Sequence, residues 1–206
     1  MSLQNSKKTT LSGNSFKLDT LDPNNYYDAT LTANYSSAVA HTTLIPASLT
    51  NLTGDSLTAT GNNDTLYGGA GRDSLTALGN FDSLIAGSGI DTLVAKGSSD
   101  TLVGNGLSSL SSSGTGTTFL LLNASGDTIR STGGQASILL SPTLSGINFS
   151  LLDTFGHGSG VANVSTLAYN GSGAVTLQGN ALRGNSIKGG TGDNFLGAVG
   201  LSLIHI

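Results

Sequence analysis

Six aspartates recur every nine residues in the first half of the chain, and they carry the clearest chemistry in the sequence. The series consists of Asp55, Asp64, Asp73, Asp82, Asp91 and Asp100. Each is followed by Ser or Thr and then by Leu, so the triplet D-[ST]-L appears six times in register. Carboxylates at a fixed spacing can bind a hard cation if the fold stacks them and supplies further oxygens nearby. The sequence must therefore contain elements that bring these side chains together.

A nine-residue unit with one inward apolar position predicts half a coil of a solenoid. Nine residues are too few for a pair of helices, whereas Gly and Asn before each triplet predict a turn that leads into a short strand. The units alternate between two forms, as in GGAGRDSLT at 68–76 and ALGNFDSLI at 77–85, so the full coil has 18 residues. We therefore predict an all-β protein, a parallel β-solenoid or β-roll built from 9-residue half-coils.

This period also predicts two columns of carboxylates. Coils stacked at the strand spacing of about 4.8 Å would place Asp73 beside Asp91 on one edge of the solenoid. The other edge would hold Asp64, Asp82 and Asp100.

The first of these edges carries a recognisable motif. GGAGRDSLT is a full match to the nonapeptide G-G-x-G-x-D-x-U-x, and AGSGIDTLV at 86–94 matches it except at its first residue. The segment resembles the RTX (repeats-in-toxin, haemolysin-type) family of calcium-binding parallel β-rolls. The resemblance implies that backbone carbonyls and aspartates of one turn hold Ca²⁺ against the next turn. On the best-matching edge the implied calcium ligands are Asp73, Asp91, Gly68, Ala70, Gly71, Gly87 and Gly89.

The opposite edge departs from the motif, because Asn or Ser replaces the glycine at the fourth position of the unit. Asp64, Asp82 and Asp100 are therefore weaker candidate ligands, and so is Asp55, which follows NLTG in place of GGxG. An alternative needs no metal: each aspartate caps its own turn by accepting hydrogen bonds from backbone amides. Stacked carboxylates would repel one another without a counter-ion, which favours calcium, and both interpretations stay open.

The chain divides into five segments by pattern. Residues 1–48 are predicted to be a β-rich cap, 49–113 the RTX-like β-roll, and 114–179 an irregular, solenoid-like β segment. Residues 180–200 form a second repeat block with Asn185 and Asn194 at the aspartate position. The last six residues, LSLIHI at 201–206, coincide with a translated sequencing adaptor, and a natural closing strand is the alternative. On the adaptor hypothesis the chain is a fragment of a larger protein, and His205 belongs to no site.

The composition argues against catalysis and against several binding functions. The chain has no Cys, only three His and no Glu, so it lacks the usual residues for thiolate chemistry, zinc binding or acid–base catalysis. Asp153, His157 and Ser159 lie close in sequence, but no G-x-S-x-G elbow surrounds the serine. A net charge of -4 with scattered basic residues disfavours nucleic acid. No apolar run approaches the roughly 20 residues of a membrane span, and no N-terminal secretory signal is visible.

We therefore expect a non-enzymatic, calcium-binding structural module of a secreted bacterial RTX-like protein, of adhesin, surface-layer or matrix type. The resemblance implies type I secretion, folding on extracellular calcium, and calcium ions as partners, with self-association or surface glycans as further partners. An alternative is the secretion or folding tail of an RTX enzyme or toxin. A minor alternative is a surface that binds ice or glycans through outward hydroxyl ladders, formed by Ser56, Thr65, Ser74, Ser83, Thr92 and Thr101.

Overall fold

The structure is a computed structural model, and it describes most of the chain from residue 54 onward and short strands before it. The described residues are 8–11, 16–17, 30–33, 43–45, 54, 56–123, 126–150, 164–178, 186–197 and 203–205. They form an all-β parallel solenoid of about six turns with about 18 residues per turn, as the repeat predicts.

Two long parallel sheets make up the walls of the solenoid. Sheet 1 contains, in spatial order, β1 (Lys8–Leu11), β3 (Thr30–Ala33), β5 (Ser56–Ala59), β8 (Ser74–Ala77), β11 (Thr92–Ala95), β13 (Ser109–Ser112) and β15 (Thr128–Ser131). Sheet 2 contains β2 (Phe16–Lys17), β4 (Thr43–Ile45), β6 (Thr65–Tyr67), β9 (Ser83–Ile85), β12 (Thr101–Gly104), β14 (Thr118–Leu121), β16 (Ala136–Leu140), β18 (Val164–Tyr169), β20 (Ser186–Lys188) and β22 (Leu203–His205). The chain alternates between the two sheets, so neighbours within a sheet come from successive coils.

Two smaller sheets complete the fold. Sheet 3 contains β17 (Ile147–Ser150), β19 (Val175–Gln178) and β21 (Asn194–Gly197). In the later coils sheet 3 takes the place of sheet 1, because the chain there alternates between strands of sheet 3 and strands of sheet 2. A short pair, β7 (Ala70–Gly71) with β10 (Ser88–Gly89), joins two turns.

The leucine of each triplet points into the narrow space between the sheets. Leu57, Leu75 and Leu93 align in sheet 1, and Leu66, Leu84 and Leu102 align in sheet 2. All six are at most 2% exposed, which fits their role as the single inward apolar residue of each half-coil. Each buried leucine contributes about 2 kcal/mol of hydrophobic stabilisation, so the core gains strength only as coils accumulate.

The coil length changes after the regular block, and the core residues change with it. Ser109 pairs with Thr92 one residue short of the 18-residue step, and Thr128 pairs with Ser109 one residue beyond it. The inward positions of the later coils hold larger side chains such as Phe119 and Tyr169, both fully buried. The Tyr169 hydroxyl donates to the carbonyl of Leu144 at 2.5 Å and accepts from the amide of Gly173 at 2.9 Å. A buried tyrosine whose hydroxyl group is hydrogen-bonded thus fills the interior of a later coil.

A search of the described residues for a helix long and apolar enough to cross a membrane finds none.

Candidate site in the aspartate columns

The aspartates stack in two columns, one on each edge of the solenoid, as the period predicts. The edge 1 column runs at the turns that lead into sheet 1 and comprises Asp73, Asp91, Ser108 and Asp127. The edge 2 column runs at the turns that lead into sheet 2 and comprises Asp64, Asp82, Asp100 and Thr117. Every member of both columns is at most 2% exposed, so these polar groups lie inside the fold.

A backbone hydrogen bond to a carboxylate links one coil to the next along each column. On edge 1 the Asp73 amide donates to Asp91 Oδ1 at 2.9 Å. On edge 2 the Asp82 amide donates to Asp100 Oδ1 at 2.9 Å, and the Asp64 amide to Asp82 Oδ1 at 2.8 Å. The carboxylate therefore acts as a clamp between coils, and charge-assisted bonds of this kind are stronger than neutral ones.

The second carboxylate oxygen distinguishes the two edges. On edge 1 the Gly69 amide donates to Asp73 Oδ2 at 2.6 Å, and the Gly87 amide donates to Asp91 Oδ2 at 3.0 Å. Both aspartates thus cap their own turns, and Asp91 also joins its coil to the neighbouring one. The amide comes from the second position of the motif, where the glycine-rich turn bends back toward its own aspartate.

On edge 2 the second carboxylate oxygens of Asp82 and Asp100 are left without such a partner. Among the described residues, Asp82 Oδ2 and Asp100 Oδ2 are buried and accept no hydrogen bond. Asp127 Oδ2, in the irregular coil of edge 1, is in the same condition. A buried, unpaired carboxylate oxygen is costly, and it calls for a proton, an ion or a water to balance it.

The burial of these carboxyls raises their pKa values. Desolvation raises the pKa of Asp82 to about 7, with the charges of Asp100 and Asp64 adding to the effect and the Asp64 and Gly79 amides opposing it. Desolvation raises the pKa of Asp100 to about 6 against the hydrogen bond from Asp82. The pKa values of Asp91 and Asp127 are raised for the same main reason. These four carboxyl groups therefore take up protons more readily than exposed aspartates do.

The turns of edge 1, where the calcium ligands are predicted, are packed directly against each other. The Ser88 amide donates to the Gly69 carbonyl at 2.9 Å, and the Ile90 amide to the Gly71 carbonyl at 3.1 Å. A Cβ added at Gly87 would lie 1.7 Å from the Gly69 carbonyl oxygen, so the coils leave no space for a side chain there. The carbonyls of Gly69 and Gly71 thus accept amides of the neighbouring turn, as the carboxylates of Asp73 and Asp91 accept turn amides. A Ca²⁺ ion needs six to eight oxygen ligands, and the calcium site on edge 1 stays a prediction.

The turns of edge 2 are packed in a different way. Glycines at the third position of each unit stack so closely that a Cβ on Gly97 would lie 1.4 Å from the Gly79 carbonyl oxygen. Outside the column, Asn62 Oδ1 accepts from the Asn80 amide and Asn80 Oδ1 accepts from the Ser98 amide, both at 2.8 Å. The side chains that replace the fourth-position glycine of the motif therefore form a second, exposed clamp between coils.

The remaining predicted ligands have varied placements. Gly68 is buried, Ala70 and Gly71 form β7, and Gly89 lies in β10. Asp55 lies outside the described residues, as do Asn185 and the Asp153, His157 and Ser159 group. In the second block the Asn194 side-chain amide donates to the carbonyls of Gly190 and Gly192 at 2.9 and 2.7 Å. This asparagine caps its turn by donating, where the aspartates of the first block accept.

Two members of the columns have no distinguishing signal in the repeat. Ser108 and Thr117 occupy aspartate positions after the D-[ST]-L triplet has lapsed. The Ser108 amide still donates to Asp127 Oδ1 at 2.8 Å, and Thr117 Oγ1 bonds Ser112 Oγ at 2.6 Å. Asp127 stands in a single copy of the motif, GDTI at 126–129, and the change in coil length hides its place in the column.

The part of the chain that the structure describes holds no group of three or more His, Cys, Asp or Glu side chains placed to bind a metal ion. Comparisons with protein-family models, curated proteins and solved structures find no match to this chain.

Proposed function

We propose that the chain is a non-enzymatic structural module, a parallel β-solenoid segment of an extracellular RTX-like protein of adhesin, surface-layer or matrix type. The observation that carries the proposal is the pair of buried aspartate columns, which join successive coils through backbone-to-carboxylate hydrogen bonds. These residues are committed to holding coils together. The secretion or folding tail of an enzyme or toxin is compatible with the same arrangement and differs only in what else the parent protein contains.

Calcium binding is the second candidate function, and specific atoms favour it. The motif GGAGRDSLT supports it by resemblance, and the unpartnered Oδ2 atoms of Asp82 and Asp100 support it by their need for a balancing charge. These two carboxylates belong to successive coils of edge 2, so a cation there would tie the coils together. Backbone carbonyls or water would have to complete its oxygen shell.

Circular dichroism of the full chain, titrated with Ca²⁺ and then with EDTA, tests both candidates. Because the edge 1 carboxylates are satisfied by amides, we expect β structure and cooperative unfolding in EDTA. We expect added calcium in the roughly submillimolar to millimolar range of extracellular sites to raise the melting temperature by mass action, and EDTA to reverse it. A melting temperature indifferent to calcium would remove the calcium candidate and leave the structural one.

Variants on the two edges show where calcium acts. The pair Asp82→Asn and Asp100→Asn should abolish the calcium-dependent rise, whereas Asp73→Asn and Asp91→Asn should destabilise the protein with and without calcium. The opposite pattern would place the ion on edge 1, as the motif alone implies, and would mean that the turns rearrange to admit it. A chain that is unstructured in EDTA would contradict the proposed role of the hydrogen-bonded columns.

A further inference from the structure

One wall of the solenoid is interrupted, and the other is continuous. Sheet 1 ends at β15 and sheet 3 begins at β17, and within the described residues no backbone pairing joins these two strands. Sheet 2 passes the same level without a break, because β16 pairs with β14 on one side and with β18 on the other. The described coils therefore form two stacks, an early stack up to residue 140 and a late stack from residue 141.

The hydrogen bonds that step from coil to coil along sheet 1 stop at this break. The Thr128 amide donates to the Ser108 carbonyl at 2.8 Å, and no bond of this kind continues from β15 to β17 in the part of the chain that the structure describes. Ile129 of β15 and Phe149 of β17 are nonetheless only 1% exposed, so the interior stays closed to water at this level. Apolar packing, which is not directional, closes the interior there.

The turn at 141–146, which leads from β16 to β17, is held by the late stack. The Tyr169 hydroxyl donates to the Leu144 carbonyl at 2.5 Å, and the Gly146 amide donates to the Ala174 carbonyl at 2.7 Å. Tyr169 and Ala174 both lie in the coil that follows this turn. The turn is therefore fixed to the late stack rather than to the coil before it.

Space remains around the first turn of the late stack. Gly146 has φ 69°, and a Cβ added to it would meet no atom within 4 Å. At Gly133, in the early stack, an added Cβ would lie 1.7 Å from the Gly114 carbonyl oxygen of the preceding coil. Turns of the early stack thus touch through their backbones, whereas the backbone at Gly146 has no such contact.

The ladder between β16 and β18 is the paired link between the stacks in the described chain. It joins residues 137–140 to residues 166–169, and its register shifts between Ala136 and Ser137. Ser165 is the extra residue at this bulge, and its hydroxyl donates to the Ala136 carbonyl at 3.1 Å. A β-bulge bends its strand and increases the local twist. The link between the stacks thus lies on one side of the solenoid and is itself irregular.

We infer that β16 and β18 form a hinge about which the two stacks of the solenoid bend. Widening the break between β15 and β17 needs no loss of backbone pairing between described strands, whereas widening any other level of sheet 1 would break a strand ladder. Hinges concentrate a motion in a few residues at the ends of elements, and the chain crosses between the stacks at Ser141, directly after β16. The fold therefore sets one place at which the module bends. The inference goes beyond the proposed function and is independent of calcium binding.

Distances between pairs of spin labels, measured by pulsed electron paramagnetic resonance on the full chain in EDTA, test the hinge. The chain has no Cys, so the labels attach only at the two cysteines that each variant introduces. The first pair, Ser74→Cys with Thr176→Cys, spans the break from sheet 1 to sheet 3. The second pair, Ser83→Cys with Ser186→Cys, spans the same coils along the unbroken sheet 2. A third, Ser56→Cys with Thr128→Cys, lies within sheet 1 of the early stack.

We expect the distance distribution of the pair across the break to be at least about twice as wide as the distributions of the other two pairs. Equal widths for all three pairs would overturn the inference, because the wall would then be rigid without its hydrogen bonds. A sheet 2 pair as wide as the pair across the break would also overturn it, because the stacks would then move without a hinge.

Circular dichroism establishes that each labelled variant keeps the β structure of the unchanged chain. If the first pair does not, Thr92→Cys with Phe195→Cys spans the same break from two exposed positions and gives the same comparison.

Discussion

The two edges of the solenoid place the same residue at the same point of the coil, yet they surround its second carboxylate oxygen differently. On edge 1, Asp91 accepts amides with both oxygens, one from the neighbouring coil and one from its own turn. On edge 2, Asp100 accepts with Oδ1 alone, and its Oδ2 is buried without a partner. In the regular coils, hydrogen bonds therefore satisfy both oxygens of Asp91 on edge 1, whereas Asp100 on edge 2 keeps a buried oxygen that must be neutralised or compensated.

The difference follows from the turn that precedes each aspartate. The edge 1 turn has Gly at its second position in the complete motif, and the amide of Gly69 reaches the carboxylate of its own unit. The edge 2 turn places a residue with a left-handed backbone directly before the aspartate, at Asn63, Phe81 and Ser99 with φ near 60°. That geometry directs the turn amides to the neighbouring coil, as in the bond from the Phe81 amide to the Ser98 carbonyl. Asp100 therefore accepts one amide fewer than Asp91 does.

The largest effect on stability is expected at the glycines of the edge 2 turns, where successive coils are tightly stacked. A Cβ at Gly133 would lie 1.7 Å from the Gly114 carbonyl oxygen, whereas a Cβ at the adjacent Gly134 would meet only a methyl group at 3.8 Å. We expect Gly133→Ala to lower the free energy of unfolding by about 3 kcal/mol or more because backbone must move. Gly134→Ala should change it by less than about 1 kcal/mol. Urea denaturation measures both, and equal losses would mean that the coils separate more easily than this packing implies.

The next effect compares the aspartates themselves. In Asp91→Asn the new amino group must face either the Gly87 or the Asp73 amide, so one buried hydrogen bond is replaced by two opposed donors. We expect a loss of about 2 kcal/mol. In Asp100→Asn the carbonyl can keep the Asp82 amide while the amino group takes the place of the unpartnered oxygen, and the buried charge disappears. Its stability at pH 8 in EDTA should be unchanged within about 1 kcal/mol or increased.

Chemical denaturation of the two variants checks this contrast. Equal and large losses would show that both edges depend on the carboxylate in the same way. A stable Asp91→Asn beside an unstable Asp100→Asn would reverse the assignment of the satisfied edge.

The stability of the chain should also depend on pH in a direction set by edge 2. The folded-state pKa values of Asp82 and Asp100, about 7 and about 6, lie above the ordinary value of 3.8. The folded state therefore binds protons more tightly than the unfolded chain does. Stability from this source is fully present below about pH 4 and is lost as the pH rises through about 6 and 7. We expect a fall of several kcal/mol between pH 4 and pH 8 in EDTA.

Urea midpoints across this range measure the pH profile, and Asp100→Asn serves as the internal control because it should flatten part of the slope. A stability that rises with pH over the same interval would mean that the carboxylates are stabilised as anions in the absence of metal.

The smallest effect concerns the left-handed residue of the edge 2 turn. Phe81 has φ 61° and is 63% exposed, so its side chain contributes little packing to offset the backbone cost. Asn63 occupies the same position one coil earlier with φ 60°, and asparagine tolerates this conformation. We expect Phe81→Asn to raise the free energy of unfolding by about 1 kcal/mol. Leu78→Asn, in the same turn without a positive φ, should give no gain, and thermal denaturation compares the two.

Much of the fold could be predicted from the sequence because the repeat is explicit there. The spacing of Asp73 and Asp91, and the alternation of two kinds of nine-residue unit, predict the 18-residue coil and the two columns, and the structure confirms both. The inward leucines are confirmed for the same reason, since one apolar position per half-coil leaves no other choice.

Which carboxylate oxygens accept a hydrogen bond could not be predicted in this way. The difference between Asp91 and Asp100 depends on where one turn amide points, and that direction follows from backbone angles rather than residue types. The continuation of the columns beyond Asp100 could not be predicted either. Ser108 takes part through its backbone amide and Thr117 through its hydroxyl group, and neither contact requires an aspartate in the sequence. The motif assigns its best calcium site to edge 1, whereas the unpartnered oxygens of the regular coils lie on edge 2.

A carboxyl-carbon NMR titration of the full chain in EDTA tests the difference between the edges most directly. With only twelve acidic side chains, all of them aspartates, the signals of the columns can be assigned by Asp→Asn variants. We expect the carboxyl groups of Asp82 and Asp100 to titrate near pH 7 and pH 6, because burial desolvates them. Titration of both near the ordinary value of 3.8 would show that their second oxygens are satisfied, and it would contradict the distinction between the two edges.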